Sequence, residues 1–353
     1  MRTAATAHLR SVLLGLTAAA LFGAAAPACK ALLGELPPWQ LAGLLYLGAA
    51  LGVAPWAFTL GVRHPTSPRN RWMLAGAVVL GGIAGPVLML LGLRTAEAGA
   101  VAVLLNLELV ATALFGWWIF RENFSVRAWI GIVVVVGAGV LATWSGAGGS
   151  DSAPAIVPGL LVAAACMCWG MDNHLTALID GIPPVRTTLF KGLVAGTFNL
   201  GIGFAFTSGP LPWVAVLGAL AVGAVAYGWS IVLWIESARH LGATRAQVLF
   251  STAPFFGGFI ALLFLDATWS GLRWLAFVGA ALGVVILLRD AHAHEHEHEE
   301  LEHDHAHIHD DGHHDHAHPE GVTRARHSHA HRHAPRRHAH PHVPDLHHRH
   351  RHG

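Results

Sequence analysis

The sequence predicts an all-α membrane protein: ten spanning helices in two inverted five-helix repeats, followed by a disordered, histidine-rich tail. Three observations predict it. Hydrophobic residues make up 54% of the 353-residue chain and Asp, Glu, Lys and Arg only 12%, where a soluble domain carries about 25% charged residues. Apolar runs of spanning length recur along the first 290 residues, and their punctuation repeats at a near-constant offset. Finally, 23 of the 27 histidines lie from His292 onward. The chain thus divides into residues 1–146 and 147–290, the two repeats, and residues 291–353, the tail.

A hydrocarbon core of ~30 Å takes about 20 apolar residues per helix. Such runs fall near residues 10–30, 39–61, 72–93, 98–119, 127–145, 157–178, 186–207, 212–235, 245–265 and 271–288. They are apolar nearly all round, unlike amphipathic surface helices. Pro37-Pro38-Trp39, His64-Pro65-Thr66, Arg121-Glu122-Asn123, Pro183-Pro184 and Ser208-Gly209-Pro210 separate them. Trp39, Trp72, Trp129, Trp213 and Trp274 stand at run ends, where interfacial aromatic belts form. The first run has the early arginines and small residues of a secretory signal. It nevertheless continues past Cys29 to Leu33 and is needed by the repeat, so it is read as a span.

Placing the N-terminus inside puts eleven arginines in inner segments, among them Arg63, Arg69, Arg71, Arg186 and Arg289, against Lys30, Arg94 and Arg273 outside. The positive-inside rule then sets both termini in the cytoplasm. Arginine far outnumbers lysine and Ala and Gly are abundant, a composition of bacterial type, so the expected location is a bacterial cytoplasmic (inner) membrane. Cys29, Cys166 and Cys168 all fall in apolar runs and form neither a disulfide framework nor a zinc motif.

The halves resemble each other at an offset near 145 residues. Leu93-Arg94 stands against Ala238-Arg239, Phe22-Gly23 against Trp169-Gly170, Pro37-Pro38 against Pro183-Pro184. An odd number of spans per half inverts the second copy, and inverted repeats characterise secondary transporters.

Residues 10–289 resemble the EamA branch of the drug/metabolite transporter (DMT) superfamily. The likeness runs through Leu21-Phe22-Gly23 with Lys30, Leu107-Glu108-Leu109-Val110, Phe120-Arg121-Glu122, Gly131 and Gly137-Ala138-Gly139-Val140 in the first half. In the second it runs through Trp169-Gly170, Thr252-Ala253-Pro254 and Leu265-Asp266. Leu109 replaces the family's usual proline, and Asp266 stands where an acid of the Glu122 type is expected. The resemblance implies efflux of small organic solutes and names no solute. It also matches Lys30 to a family lysine.

Polar residues in spans are costly and usually face the bundle interior. Glu108, near the centre of the fourth run with Thr112 one turn on, is a candidate proton- or cation-handling group, or a structural acid bonded to a neighbouring helix. Cys166, Trp169, Asp172, Asn173 and Thr176 share one face of the sixth run. Asp172 and Lys191 lie about 10 Å inside the same boundary at ~1.5 Å per residue, so they are placed to pair, as a gate or as mutual neutralisation. Lys30 near the outer end of the first span either joins the pathway or snorkels to headgroups. Tyr227 either lines a cavity or packs. Gly81-Gly82, Gly85 and Pro86 mark close packing and a bend in the third run.

Residues 291–320 hold 12 histidines and 10 acids; residues 321–353 hold 11 histidines, 7 arginines and one acid, Asp345. No apolar core can form there, which predicts disorder. Imidazole with carboxylate suits zinc, nickel or cobalt ions. The expected ligands are His292, His294, His296, His298, His303, His305, His307, His309, His313, His314, His316 and His318 of the acidic half.

The sequence carries no nucleophile–base set, Walker loop or Rossmann glycine pattern, so no enzyme is expected and no cofactor is required. Expected partners are a small-molecule solute, membrane lipid and divalent metal ions, without nucleic acid, for a monomer or homodimer. Three functions are carried forward: efflux of a small metabolite or drug-like solute by alternating access, divalent metal transport, and a membrane-anchored metal buffer or sensor.

Overall fold

Helices occupy the apolar runs. In chain order they are α1 (Arg2–Gly23), α2 (Ala25–Leu32), α3 (Pro38–Thr59), α4 (Pro68–Ala77), α5 (Gly85–Thr95), α6 (Leu107–Trp118), α7 (Val126–Ser145), α8 (Ile156–Ala177), α9 (Pro184–Phe206), α10 (Trp213–Val222), α11 (Ser230–Leu241), α12 (Ala243–Phe250) and α13 (Gly271–Leu288). The computed structural model describes residues 2–59, 68–96, 101, 103–120, 125–145, 156–179, 182–207, 209–253, 255–257, 260, 270–288, 293–298, 301–307, 327–333 and 336–341. Arg121, Glu122, Pro254, Leu265, Asp266 and the tail histidines His292, His309, His313, His314, His316 and His318 lie outside the described residues.

Six helical stretches among the described residues are long and apolar enough to cross a membrane: Leu9–Leu32, Pro38–Thr59, Pro68–Thr95, Ile156–Ala177, Pro184–Phe206 and Trp213–Leu241. The fourth and ninth runs do not give long continuous helices, because both are interrupted. Helix re-forms at Leu107 after a turn at Leu105 and Asn106, and α12 ends in a turn at Ser251 and Thr252. The interruptions are alike: the Asn106 amide donates to Val103 O at 3.1 Å, and the Ser251 hydroxyl donates to Val248 O at 2.7 Å. Each side chain satisfies a carbonyl three residues back that regular helix would have bonded. The fifth and tenth runs carry α7 and α13.

Two further irregularities stand at the same separation. Val78–Ala84 and Gly223–Trp229 are π-helical segments, joining α4 to α5 and α10 to α11. Asn106 and Ser251, and the first residues of both π segments, are all 145 positions apart, which matches the offset read from the loops.

Small residues set how closely the helices approach. A Cβ at Gly170 on α8 would lie 2.7 Å from Ala111 Cβ and 2.8 Å from Thr112 N on α6, so only glycine lets these two helices meet there. On α11, the Ser230 and Ser237 hydroxyls donate to Ala18 O and Ser11 O of α1, each at 2.9 Å. These contacts sew the first span of one half to the eighth run of the other. The outside of the bundle is apolar: Phe58 and Phe206 are each 78% exposed. Such a surface suits lipid and would be a liability in water.

The described parts of the tail are extended. Four strands, β1 (Ala293–His298), β2 (Leu301–His307), β3 (His327–His333) and β4 (Arg336–Pro341), form two antiparallel ladders, β1 with β4 and β2 with β3. Alternating His-x-His has the period of a strand, and the ladders supply the backbone partners that an isolated strand lacks.

Candidate functional site

The site is built on the two interrupted helices. The break at Asn106 moves Glu108 from the middle of a span, where the sequence placed it, to the first turn of α6. A carboxyl group there meets the positive end of the helix dipole, while the N–H groups of Glu108 and Leu109 donate to Leu105 O and Asn106 O, each at 3.1 Å. The break at Ser251 places Gln247 and Phe250 at the C-terminal end of α12. Both ends border one small pocket, whose walls include Phe22, Leu105, Glu108, Gln247, Phe250 and Ser251. The Phe22 and Phe250 rings pack 5.0 Å apart, centroid to centroid, so the walls are aromatic on one side and polar on the other.

Asn173 of α8 closes the polar side. Its amide nitrogen donates to Glu108 Oε1 at 2.9 Å and lies 3.1 Å from both Thr112 Oγ1 and Gln247 Oε1. Two N–H groups thus serve three acceptors, and the network joins residues from both halves. The Thr112 hydroxyl donates back to Glu108 O at 2.8 Å. All four side chains are buried. Next along α8, His174 Nε2 lies 2.8 Å from Thr112 O, and its ring stacks on Phe120 at 4.3 Å.

Asp172 and Lys191 form a buried ion pair between α8 and α9, with Lys191 Nζ donating to Asp172 Oδ2. The Thr176 hydroxyl donates to the other carboxylate oxygen at 2.9 Å. The pair sits against Gly81 of the first π segment, where a Cβ would come within 2.6 Å of Lys191 Nζ. That segment needs outside partners. Pro86 has no N–H, so it cannot donate to Gly81 O in the π pattern or to Gly82 O in the α pattern. Tyr46 and Trp169 donate to Gly81 O, at 2.5 and 3.1 Å, and Asn199 donates to Gly82 O at 3.0 Å. Trp169 therefore holds the bend as a hydrogen-bond donor.

The structure brings Glu108, Thr112 and Asn173 into one network, with Trp169, Asp172 and Lys191 in the adjoining cluster around Gly81. It does not bring in Lys30, whose ammonium donates to Leu93 O, Arg94 O and Ala96 O at 2.8, 3.2 and 2.7 Å and so caps the end of α5. Tyr227 is fully buried, packed against Phe22 and Tyr46 at 5.5 and 5.6 Å, and is not among the cavity-lining residues. Sequence reasoning missed Gln247 and Tyr46, whereas Asn199 stands with Thr187, Thr188 and Lys191 on the largely polar side of the seventh run. A lone glutamine or tyrosine in an apolar run carries no signal of its own, and only the helix breaks show which carbonyls need partners.

Comparison with known proteins agrees with this architecture. The sequence profile of the EamA-like transporter family matches residues 9–144 and again residues 158–289. The chain belongs to the EamA-like transporter family. An uncharacterized transporter of Methanothermobacter thermautotrophicus is 26% identical over 292 residues, covering 77% of this chain and 84% of that one. A protein named aromatic amino acid exporter YddG, from Ancylobacter novellus, is 28% identical over 268 residues, covering 71% of this chain and 90% of its own. A solved crystal structure superposes with a TM-score of 0.63 at 20% identity, over 79% of this chain and 98% of that one, which shows a shared fold. This EamA-family chain is a multi-pass membrane protein and a secondary transporter, not an enzyme.

Proposed function

We propose that this transporter exports a small, amphiphilic organic solute by alternating access, with the two halves rocking as inverted five-helix repeats around the cavity at the helix breaks. One observation carries the proposal: two interrupted helices, one per half, face one cavity and are bridged by Asn173 between Glu108 and Gln247. Broken helices at a repeat interface present helix dipole ends and polar side chains to a bound solute. Rocking changes the distance between the halves, so a bridge of this kind must break or re-form in each cycle.

The pocket's lining suits the solute class. Phe22 and Phe250 offer aromatic surface, while Glu108 and Gln247 offer a carboxyl and an amide. A solute with an apolar ring and an amino group satisfies both walls, and the Ancylobacter relative, an aromatic amino acid exporter by name, is in keeping with that class. Glu108 is the group that binds the solute's cation or a coupling proton. Asp172 and Lys191 neutralise each other and lock the bend at Gly81.

The expected setting is the bacterial inner membrane with both termini cytoplasmic, where the tail acts as a metal-binding accessory. Efflux from loaded proteoliposomes over a panel of aromatic and aliphatic amines, amino acids and divalent metals tests the whole proposal. Wild-type protein should clear the amphiphilic amines, and protein ending at Arg289 should do the same. Flux confined to metals, and lost with the tail, would instead favour metal transport.

A further inference from the structure

The two tail ladders share one register. Partners sum to 634 in both, from Ala293↔Pro341 to His298↔Arg336 and from Leu301↔His333 to His307↔His327. Strands β1 and β2 of the acidic half therefore pair with β4 and β3 of the arginine-rich half as an antiparallel ribbon of common register. Within it, histidine falls opposite histidine five times: His294↔His340, His296↔His338, His303↔His331, His305↔His329 and His307↔His327.

Directly opposite residues in an antiparallel pair share a face, and so do residues two apart along a strand. Opposite Cα atoms are about 4.5–5.5 Å apart, and alternate residues of one strand lie roughly 7 Å apart. In the β2–β3 ladder, His303, His305, His329 and His331 thus occupy the four corners of one small rectangle on one face. The other face carries Glu302↔Arg332 and Asp304↔Ala330, and in the β1–β4 ladder Glu297↔Arg337. Glu297 and Glu302 each take a position opposite an arginine, while Glu295 and Asp304 stand opposite alanines.

We propose that the ribbon is a cross-strand metal site of imidazole ligands, centred on His303, His305, His329 and His331, for zinc, nickel, cobalt or copper ions. It rests on reading the tail as metal-binding. It departs from the sequence expectation in drawing half its ligands from the arginine-rich segment rather than from the acidic segment alone. Four neutral imidazoles suit a tetrahedral zinc or cobalt ion, with carboxylates left for the arginines. Metal binding also joins residues more than twenty positions apart, so it closes the ribbon and sets its register.

The test uses full-length protein in detergent, with cobalt and zinc as probes and protein ending at Arg289 as the blank. The paired variants are H303Q/H305Q and H329Q/H331Q, their quadruple combination, and H347Q/H348Q as a control beyond the ladders. Each paired variant should weaken the tightest zinc site at least about tenfold, the quadruple no more than either pair, and the control not at all, because ligands of one ion act as a unit. Nitroxides at A306C and S328C, opposite each other in the register, should show strong dipolar broadening with zinc, and the broadening should fall with chelator. Unchanged affinity and cobalt spectrum in H329Q/H331Q, or labels that stay far apart with zinc bound, would overturn the cross-strand site. If the full chain binds no more zinc than the truncated one, the tail is not metal-binding and the broader reading fails with it.

Discussion

Asn173 and Glu108, 65 positions apart in the chain, meet at 2.9 Å, and that one hydrogen bond ties the second half of the protein to the helix break of the first. Gln247 and Thr112 share the same amide, at 3.1 Å each. The bond forms only because α6 starts at the turn after Asn106, and because Gly170 lets α8 approach Ala111.

Glu108→Gln keeps an acceptor for Asn173 and removes the ionisable group. The protein should insert and purify normally, while efflux falls at least about tenfold or no longer follows a pH gradient, an effect of the size seen when a group acts in the rate-limiting state. Counterflow in proteoliposomes at several pH values reads both.

The ion pair calls for a different pattern. Asp172→Asn or Lys191→Met leaves an uncompensated buried charge, a loss of about 3–5 kcal/mol when a buried pair is broken. Each single variant should lower the melting temperature in detergent, and the double neutral variant should recover most of it. Exchanging Asp172 and Lys191 should restore more flux than either single variant. Equal impairment of exchange and singles would show that the pair is not the unit.

Gly81 and Gly201 give a matched comparison. A Cβ at Gly81 meets the Asp172 carboxylate and Lys191, whereas at Gly201 nothing lies within 4 Å. Gly81→Ala should cost about 1–3 kcal/mol by overpacking. Gly201→Ala should be neutral or stabilising by up to about 1 kcal/mol, from helix propensity. Thermal unfolding of the two proteins separates them.

Lys30→Met removes three hydrogen bonds to the carbonyls that end α5. It should reduce stability by about 1 kcal/mol, the cost of leaving partly exposed carbonyls without their charged donor. The KM for solute should stay within about twofold, as for a residue outside the binding path. A raised KM with unchanged melting would put Lys30 back in the pathway.

The apolar runs, their punctuation and the 145-residue offset were legible because they depend on composition and local periodicity. The pairing of Asp172 with Lys191 followed from helix rise and run boundaries. The breaks at Asn106 and Ser251 were not legible, since both residues lie inside apolar runs that read as continuous helix. Without the breaks, Glu108 seemed mid-span and Gln247 seemed ordinary. Strand pairing in the tail was not legible for another reason. Composition speaks to the lack of a core, but register comes from which distant strand pairs with which, and the alternation of histidine fits many partners equally well.

If, as proposed, the two halves rock around the Glu108–Asn173–Gln247 bridge, flux depends on all three side chains. The most direct measurement is efflux of an aromatic amine from proteoliposomes by the wild type and by E108Q, N173A and Q247A, with insertion and melting checked for each. The account predicts solute-specific efflux in the wild type and at least about a tenfold loss in all three variants, with the double variant E108Q/N173A no worse than the worse single, as expected of residues acting as one unit. Wild-type flux in N173A, or losses that multiply in the double variant, would contradict it.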